Sequence, residues 1–403
     1  ALEKFEQEAY LDSYRAFFRY LRDDDEDNVK YWDENGGVRF ELYQGSKKIT
    51  GFADAVKIKA EAKIARTQSL NVGFMRRLIE KNFSLKYSRF GLDPDHNLAI
   101  VFDTYTLDGS PYKLYYALQE VATNADKQDD LLLDEFLMLE PVDTSHLTEL
   151  PLAEKQVKYN FIVRKINAVL EEVETGDLDV DQYPGGIAFL LLDLIYRLDF
   201  LIKPEGYMME TLERVHRLYF SKDGKSTAQK NQQLFKELRK LADRPAEDYF
   251  KEMYRVTSTF GITIPVNHDR VVGFIDGELK NMDWYLENDH LAVAMAIPGY
   301  IVGYCLFNYA IPKPDRDLMQ LYYQITEPAY FRELGFSFDY RDPESGALNR
   351  RAIKRAIDFI VEDNKDSYPH LNPATNSLDF QSLPAFIKSF LLMIQRMEVT
   401  KME

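Results

Sequence analysis

Val29-Lys30-Tyr31-Trp32, Asn35-Gly36-Gly37 and Val38-Arg39-Phe40-Glu41-Leu42 follow one another near the start of the chain, and their order decides the fold. The first run is short and rich in β-formers. The Asn-Gly-Gly that follows tolerates positive φ and marks a tight turn. The next run alternates apolar and charged residues at period two, as a strand with one wet face does. Ala55 to Ile64 alternates for longer, with its lysines and glutamate on one face. Three strands are therefore predicted between residues 29 and 66.

Helical periodicity lies on either side. Leu2, Phe5, Ala9, Leu11, Tyr14, Phe17, Phe18 and Leu21 recur at three- and four-residue steps, which predicts one helix over residues 2–21. The carboxylate run Asp23 to Asp27 ends it by repulsion. A second helix is predicted over Leu70–Lys81, with Val72, Phe74, Met75, Leu78 and Ile79 on its buried side. Strands over 84–90 and 98–105 are joined by Asp93-Pro94-Asp95-His96-Asn97 as a hairpin. Pro111 suits the first turn of a third helix reaching about Asp126, with a short helical piece over 130–139. The order is α-βββ-α-ββ-α, an α+β domain built on an antiparallel sheet.

Leu78-Ile79-Glu80-Lys81-Asn82, then Tyr87 to Asp93, then Leu98-Ala99-Ile100-Val101 form a local phrase within that order. With it, residues 1–140 resemble the Tir-chaperone-like fold of class I type III secretion chaperones and the bacterial YbjN-like family. The resemblance implies dimerisation and the binding of extended partner segments, not catalysis, and with it a bacterial, cytoplasmic protein is expected. It also implies a surface of anchors, for which the aromatic residues Tyr31, Trp32, Phe40 and Tyr43 are the candidates. Those chaperones are usually single small domains, whereas this chain runs on for about 260 residues more.

Residues 141–152, with Pro141 and Pro151, read as a linker. From 153 to 403 the period changes to 3.6 and an irregular all-α domain is expected. Helices fit Ala153–Val173, Ile187–Ile202, Tyr207–Phe220, Ala228–Ala242, Ala246–Phe260, Val271–Asn288, Leu291–Tyr309, Asp315–Glu333, Asn349–Glu362 and Leu383–Val399. The run Leu291–Ala310 is uncharged and long enough to span a bilayer. Pro298, Gly299, Gly303 and Asn308 within it point instead to a buried core helix, or to two short helices broken at Pro298, so no membrane association is expected.

Composition narrows function. Over 403 residues the chain is 45% hydrophobic and 13% aromatic, which argues against disorder. A net charge of −16 argues against broad nucleic-acid affinity, and favours a partner with neutral or basic segments. One cysteine, Cys305, permits no intrachain disulfide, in keeping with a reducing cytoplasm. A monomer is expected over a homodimer, because the additional residues must pack against something.

No reactive constellation stands out, which leans against an enzyme and against any cofactor. Gly224-Lys225-Ser226 ends like a phosphate-binding loop but lacks the preceding strand and glycine, so a polar interhelical loop is expected. Asn267-His268-Asp269-Arg270 is a polar knot before a helix, with Asp269 as its expected N-cap. The alternative function is a metal-dependent enzyme. Glu213-x-x-His216 and Glu287-x-x-His290, with Glu171 or Glu172 and Glu247 or Glu252, can be written as a ferritin-like di-metal order. Against it, Leu212, Val215, Leu218 and Tyr219 claim the buried stripe, leaving Glu213 and His216 to flank the core.

Overall fold

The computed structural model describes residues 1–67, 72–136, 138–261, 263–342 and 344–402. An antiparallel sheet packed by helices is followed by a helical region, an α+β then all-α architecture. The chain forms two compact units. The first comprises Ala1–Leu150, Glu205–Tyr207 and Glu252–Ile262; the second comprises Pro151–Pro204, Met208–Lys251 and Thr263–Glu403.

In the first unit, helices α1 (Leu2–Glu6) and α2 (Tyr10–Leu21) replace the single predicted helix. The break falls at Gln7–Ala9, where Glu8 takes a left-handed φ of 61°. Strands β1 (Val29–Glu34), β2 (Gly37–Gly45), β3 (Lys47–Ala53) and β4 (Lys57–Thr67) follow, then α3 (Val72–Asn82), β5 (Arg89–Leu92), β6 (Asn97–Tyr105), α4 (Pro111–Glu135) and β7 (Leu139–Pro141). The sheet order is β1-β2-β3-β4-β6-β5, with β7 beside β4 and β8 (Thr257–Ser258) beside β2. Every pairing is antiparallel.

Strand β3 is absent from the sequence reading. Its inward positions are Lys47, Ile49, Gly51 and Ala53, so a buried lysine and a glycine break the alternation. Lys47 is 1% exposed, and its Nζ donates to the Ile64 carbonyl. The β2–β3 turn is clasped by Asp126 of α4, which accepts from the Ser46 N–H at 2.8 Å. Helix α4 has Ser110 as its N-cap, with Pro111 next, as predicted, but runs unbroken to Glu135. One face of the sheet joins Tyr14, Phe17 and Phe18 of α2 and Leu114, Leu118 and Val121 of α4 in a single core. Burying each such side chain contributes about 1.5–3 kcal/mol.

The predicted helix over 246–260 ends at Lys251 as α9 (Ala246–Lys251). The residues after it leave the helical pattern to join the sheet. The Thr259 hydroxyl donates to the carbonyls of Asn28 and Tyr43, and Phe260 enters the first core with its ring edge-on to Tyr115.

The second unit is built on α5 (Leu152–Thr175), α6 (Pro184–Ile202), α7 (Gly206–Phe220) from Met208 onward, α8 (Thr227–Asp243), α10 (His268–Glu278), α11 (Asn281–Glu287), α12 (Leu291–Asn308), α13 (Lys313–Thr326), α14 (Pro328–Glu333), α15 (Arg350–Asn364) and α16 (Leu383–Gln395). Two predicted helices are thus each broken in two, at Leu279–Lys280 and at Glu327. A short parallel pairing joins β9 (Ile264–Pro265) to β10 (Tyr309–Ala310).

Helix α12 is long and apolar enough to cross a membrane, and 61% of that window is buried inside the protein. It is apolar on all sides, as a helix enclosed by others must be. Gly299 and Gly303 let α6 approach, because a Cβ at 303 would collide with Tyr196.

Candidate functional site

Helix α3 carries the largest departure from expectation. Phe74 and Leu78 are buried as predicted, at 0% and 5% exposure. Val72 is 86% exposed, Met75 36% and Ile79 64%, so these three turn outward instead. Phe83, one residue past the helix end, is 95% exposed. Positions 72, 75, 79 and 83 fall on one side of a 3.6-residue helix, opposite 74 and 78. The helix therefore has two apolar faces, and only one is enclosed. The predicted first residue of this helix, Leu70, lies outside the described residues.

The surroundings hold α3 in place. The Asn82 side chain accepts from the Phe90 N–H at 2.6 Å, which ties the helix end to β5. Glu120 of α4 gathers the N–H groups of Lys86, Tyr87 and Ser88 at 2.8–2.9 Å and the Ser88 hydroxyl at 2.7 Å. Burial works against charge on Glu120, but these four donors outweigh it and lower its titration. Asp93 closes the β5–β6 turn by accepting from the Asp95 and Asn97 N–H groups. Burial opposes its charge too, yet Asn97 and Lys63 hold its carboxyl down at about 2. The phrase from Leu78 to Val101 thus encodes clamps that position α3.

The four nominated anchors divide. Tyr31 is half-buried against the core, its ring 6.0 Å from Phe18. Trp32 is 42% exposed, and its indole N–H donates to Glu34. Phe40 is removed from the surface: it is 1% exposed and stacks on Phe18 at 4.4 Å. Period two places Phe40 with Leu42 on the enclosed face of β2. Tyr43 is half-buried, donating its hydroxyl to Glu41 beneath the Lys30 ammonium.

In the second unit the Glu-x-x-His residues are not gathered. Glu213 pairs with Arg217, while His216 Nδ1 bonds the Tyr196 hydroxyl at 2.8 Å. The His216 ring lies among Tyr196, Phe220, Tyr304 and Phe307. Burial, followed by the Arg217 charge, pushes its titration down to about 4. Glu287 ends α11, and His290 is the N-cap of α12 among Tyr183, Trp284 and Tyr285. Among the described residues no group of three or more His, Cys, Asp or Glu side chains is placed to hold a metal ion. Gly224-Lys225-Ser226 proves to be a helix start: the Ser226 hydroxyl accepts from the Gln229 N–H and the Gln229 side chain accepts from the Ser226 N–H.

A buried ion cluster went unread in the sequence. Arg197 of α6 binds Asp193 and Glu327, and Glu327 also binds Lys165 of α5 at 2.8 Å. Burial raises the Asp193 carboxyl in spite of Arg197. The i,i+4 spacing of Asp193 and Arg197 was the available signal, inside a helix otherwise almost wholly apolar. Each of the four charges has a partner, so the cluster fastens helices together.

No protein-family model matches the chain, and no curated protein matches it. Among solved structures it is similar to one described as "Crystal Structure of the ExsC-ExsE Complex", at 14% identity and a TM-score of 0.20, over 32% of this chain and 95% of that one.

Proposed function

We propose that this is a cytoplasmic, non-catalytic protein-binding protein, and that its first unit holds a partner segment on the outward face of α3. One observation carries the reading: Val72, Met75, Ile79 and Phe83 form an exposed apolar stripe at helical spacing. Exposed apolar groups in a row mark interaction surfaces, whereas scattered ones need no explanation. The stripe is about 16 Å long at 1.5 Å per residue, enough for three or four anchors of an apolar partner segment. Beside it stand Arg76, Arg77 and Lys81 against Glu80. The helix is locally cationic on a chain of net charge −16, so a partner with neutral or acidic residues around its anchors fits this face.

The test compares full-length protein with Ile79→Asp and Phe83→Asp variants in tagged purification from the native organism with mass spectrometry. A partner captured by the parent and lost by both folded variants supports the reading. Equal capture by all three, or capture by none, overturns it. Light scattering addresses self-pairing: a mass of 47.0 kDa is expected, and twice that value would give the stripe to a second copy instead.

A further inference from the structure

A cleft of about 830 Å³ in the second unit lies where the starts of α10 and α13 meet the C-terminal tail. It is lined by Asn267, His268 and Asp269, by Pro312 and Lys313, and by the tail from Arg396 to Lys401. The tail is tied down by the Met402 N–H, which donates to the Ser367 carbonyl at 2.9 Å. The size lies within the range of small-molecule sites.

His268 is 7% exposed, and its Nδ1 lies 2.9 and 3.0 Å from the two carboxylate oxygens of Asp315, which is fully buried. With Nδ1 donating to Asp315, the nitrogen left to this cleft-lining ring is Nε2. Nε2 is buried and has no partner among the described residues. A buried ring nitrogen left unbonded is costly, so a group that supplies its bond is favoured there.

The surroundings say which kind of group. Two helices of 11 and 14 residues begin at this cleft, and no side chain caps either start. Their first N–H groups have no intrahelical partner and carry the positive ends of two helix dipoles. Arg396 and Lys401 add cations with no ion pair among the described residues, and Lys313 adds a third, held by Asp317 and Asp363. Opposing charges are Asp269, held by the Asn267 side chain, and Glu398. With Lys313 matched by Asp317 and Asp363, and Asp315 engaged by His268, the two helix starts with Arg396 and Lys401 outnumber the two rim carboxylates.

We infer that this cleft binds a small phosphorylated ligand, its phosphoryl oxygens held by the two helix starts with Arg396 and Lys401, and its P–OH donating to His268 Nε2. A phosphoryl group brings several acceptor oxygens for the N–H groups and, as the monoanion, one O–H donor for the ring nitrogen. Asp315 is a positioning residue: it fixes which ring nitrogen faces the ligand.

The probes are inorganic phosphate and sulfate at equal ionic strength and neutral pH, titrated calorimetrically into the full chain. Sulfate has no O–H to offer Nε2. Saturable phosphate binding is expected, tighter than sulfate. Arg396→Gln with Lys401→Gln weakens both anions by about a hundred-fold, about ten-fold for each lost bond to a charged group. His268→Asn keeps a donor toward Asp315 and removes the preference for phosphate. Because Arg396 and Lys401 are exposed, their double variant should melt like the parent in phosphate-free buffer, which separates lost binding from lost folding. No phosphate binding, equal affinity for the two anions, or an unaffected double variant would each overturn the inference.

Discussion

Phe40 and Gly51 face each other across the β2–β3 ladder, and the Phe40 ring occupies the volume that a side chain at 51 would need. A Cβ at 51 would overlap the ring tip and stand 2.6 Å from the Lys59 carbonyl oxygen on β4. Glycine is therefore required by the close approach of two neighbouring strands. Gly51→Ala should destabilise the protein by about 1–3 kcal/mol, the usual cost of overpacking. Urea denaturation should show a lower midpoint at unchanged slope. An unchanged midpoint would mean that Phe40 has another place to go.

Arg197 supports a second expectation. It holds two carboxylates, so Arg197→Leu leaves Asp193 and Glu327 buried without their shared cation, and Lys165 remains as the partner of Glu327. Breaking a buried pair from one side costs about 3–5 kcal/mol. Asp193→Asn should cost clearly less, because Arg197 keeps Glu327 and Asp193 Oδ1 already lacks a partner. Thermal melting of the two variants checks the ranking, and the reverse order would contradict it.

The sequence was legible where one face of an element is buried and the other wet. Strands β2 and β4 alternate in that way, β6 shows as an apolar run after a turn, and Pro111, Asp93 and the Asn35-Gly36 turn follow from local chemistry. Strand β3 was hidden because a buried lysine and a glycine fill inward positions. The outward turn of Val72, Met75 and Ile79 was hidden for the opposite reason. An apolar face is read as buried, and periodicity alone cannot say which of two apolar faces is enclosed. His268 and Asp315 lie 47 residues apart in the chain, and only the fold brings the starts of α10 and α13 together.

Asp199 gives a pH-dependent test. Burial, and then the nearby Glu213 charge, push its carboxyl up to about 7 from an ordinary value of 3.8. The folded protein therefore holds a proton that the unfolded chain releases between about pH 4 and 7, and stability from this group falls as pH rises through that window. Asp199→Asn should stabilise the protein at pH 8 and bring no gain below pH 4. Asp199 keeps some contact with solvent, which reduces the conversion of ~1.4 kcal/mol per pH unit to a total on the order of 2 kcal/mol. Melting curves of parent and variant across pH 4–8 read the difference directly, and a pH-independent difference would place the effect elsewhere.

Glu120 has the opposite sign. Its folded titration is lowered, because the donors from residues 86–88 outweigh its burial. Its contribution is complete above the ordinary carboxylate range and is lost as pH falls through the lower, folded value. Glu120→Gln keeps the shape and removes the charge. Hydrogen bonds to a charged group each contribute about 1.5–3 kcal/mol, more than neutral ones, so a loss of about 1–2 kcal/mol at pH 7 is expected. The loop 84–88 follows α3 and Phe83 directly, so its loosening should also be felt locally. Hydrogen exchange at the Lys86, Tyr87 and Ser88 amides should accelerate in the variant, while β4 and β6 amides keep their protection. If those three amides exchange at parental rates, Glu120 does not anchor this loop in solution, and the fixed placement of Phe83 at the end of the α3 stripe loses its support.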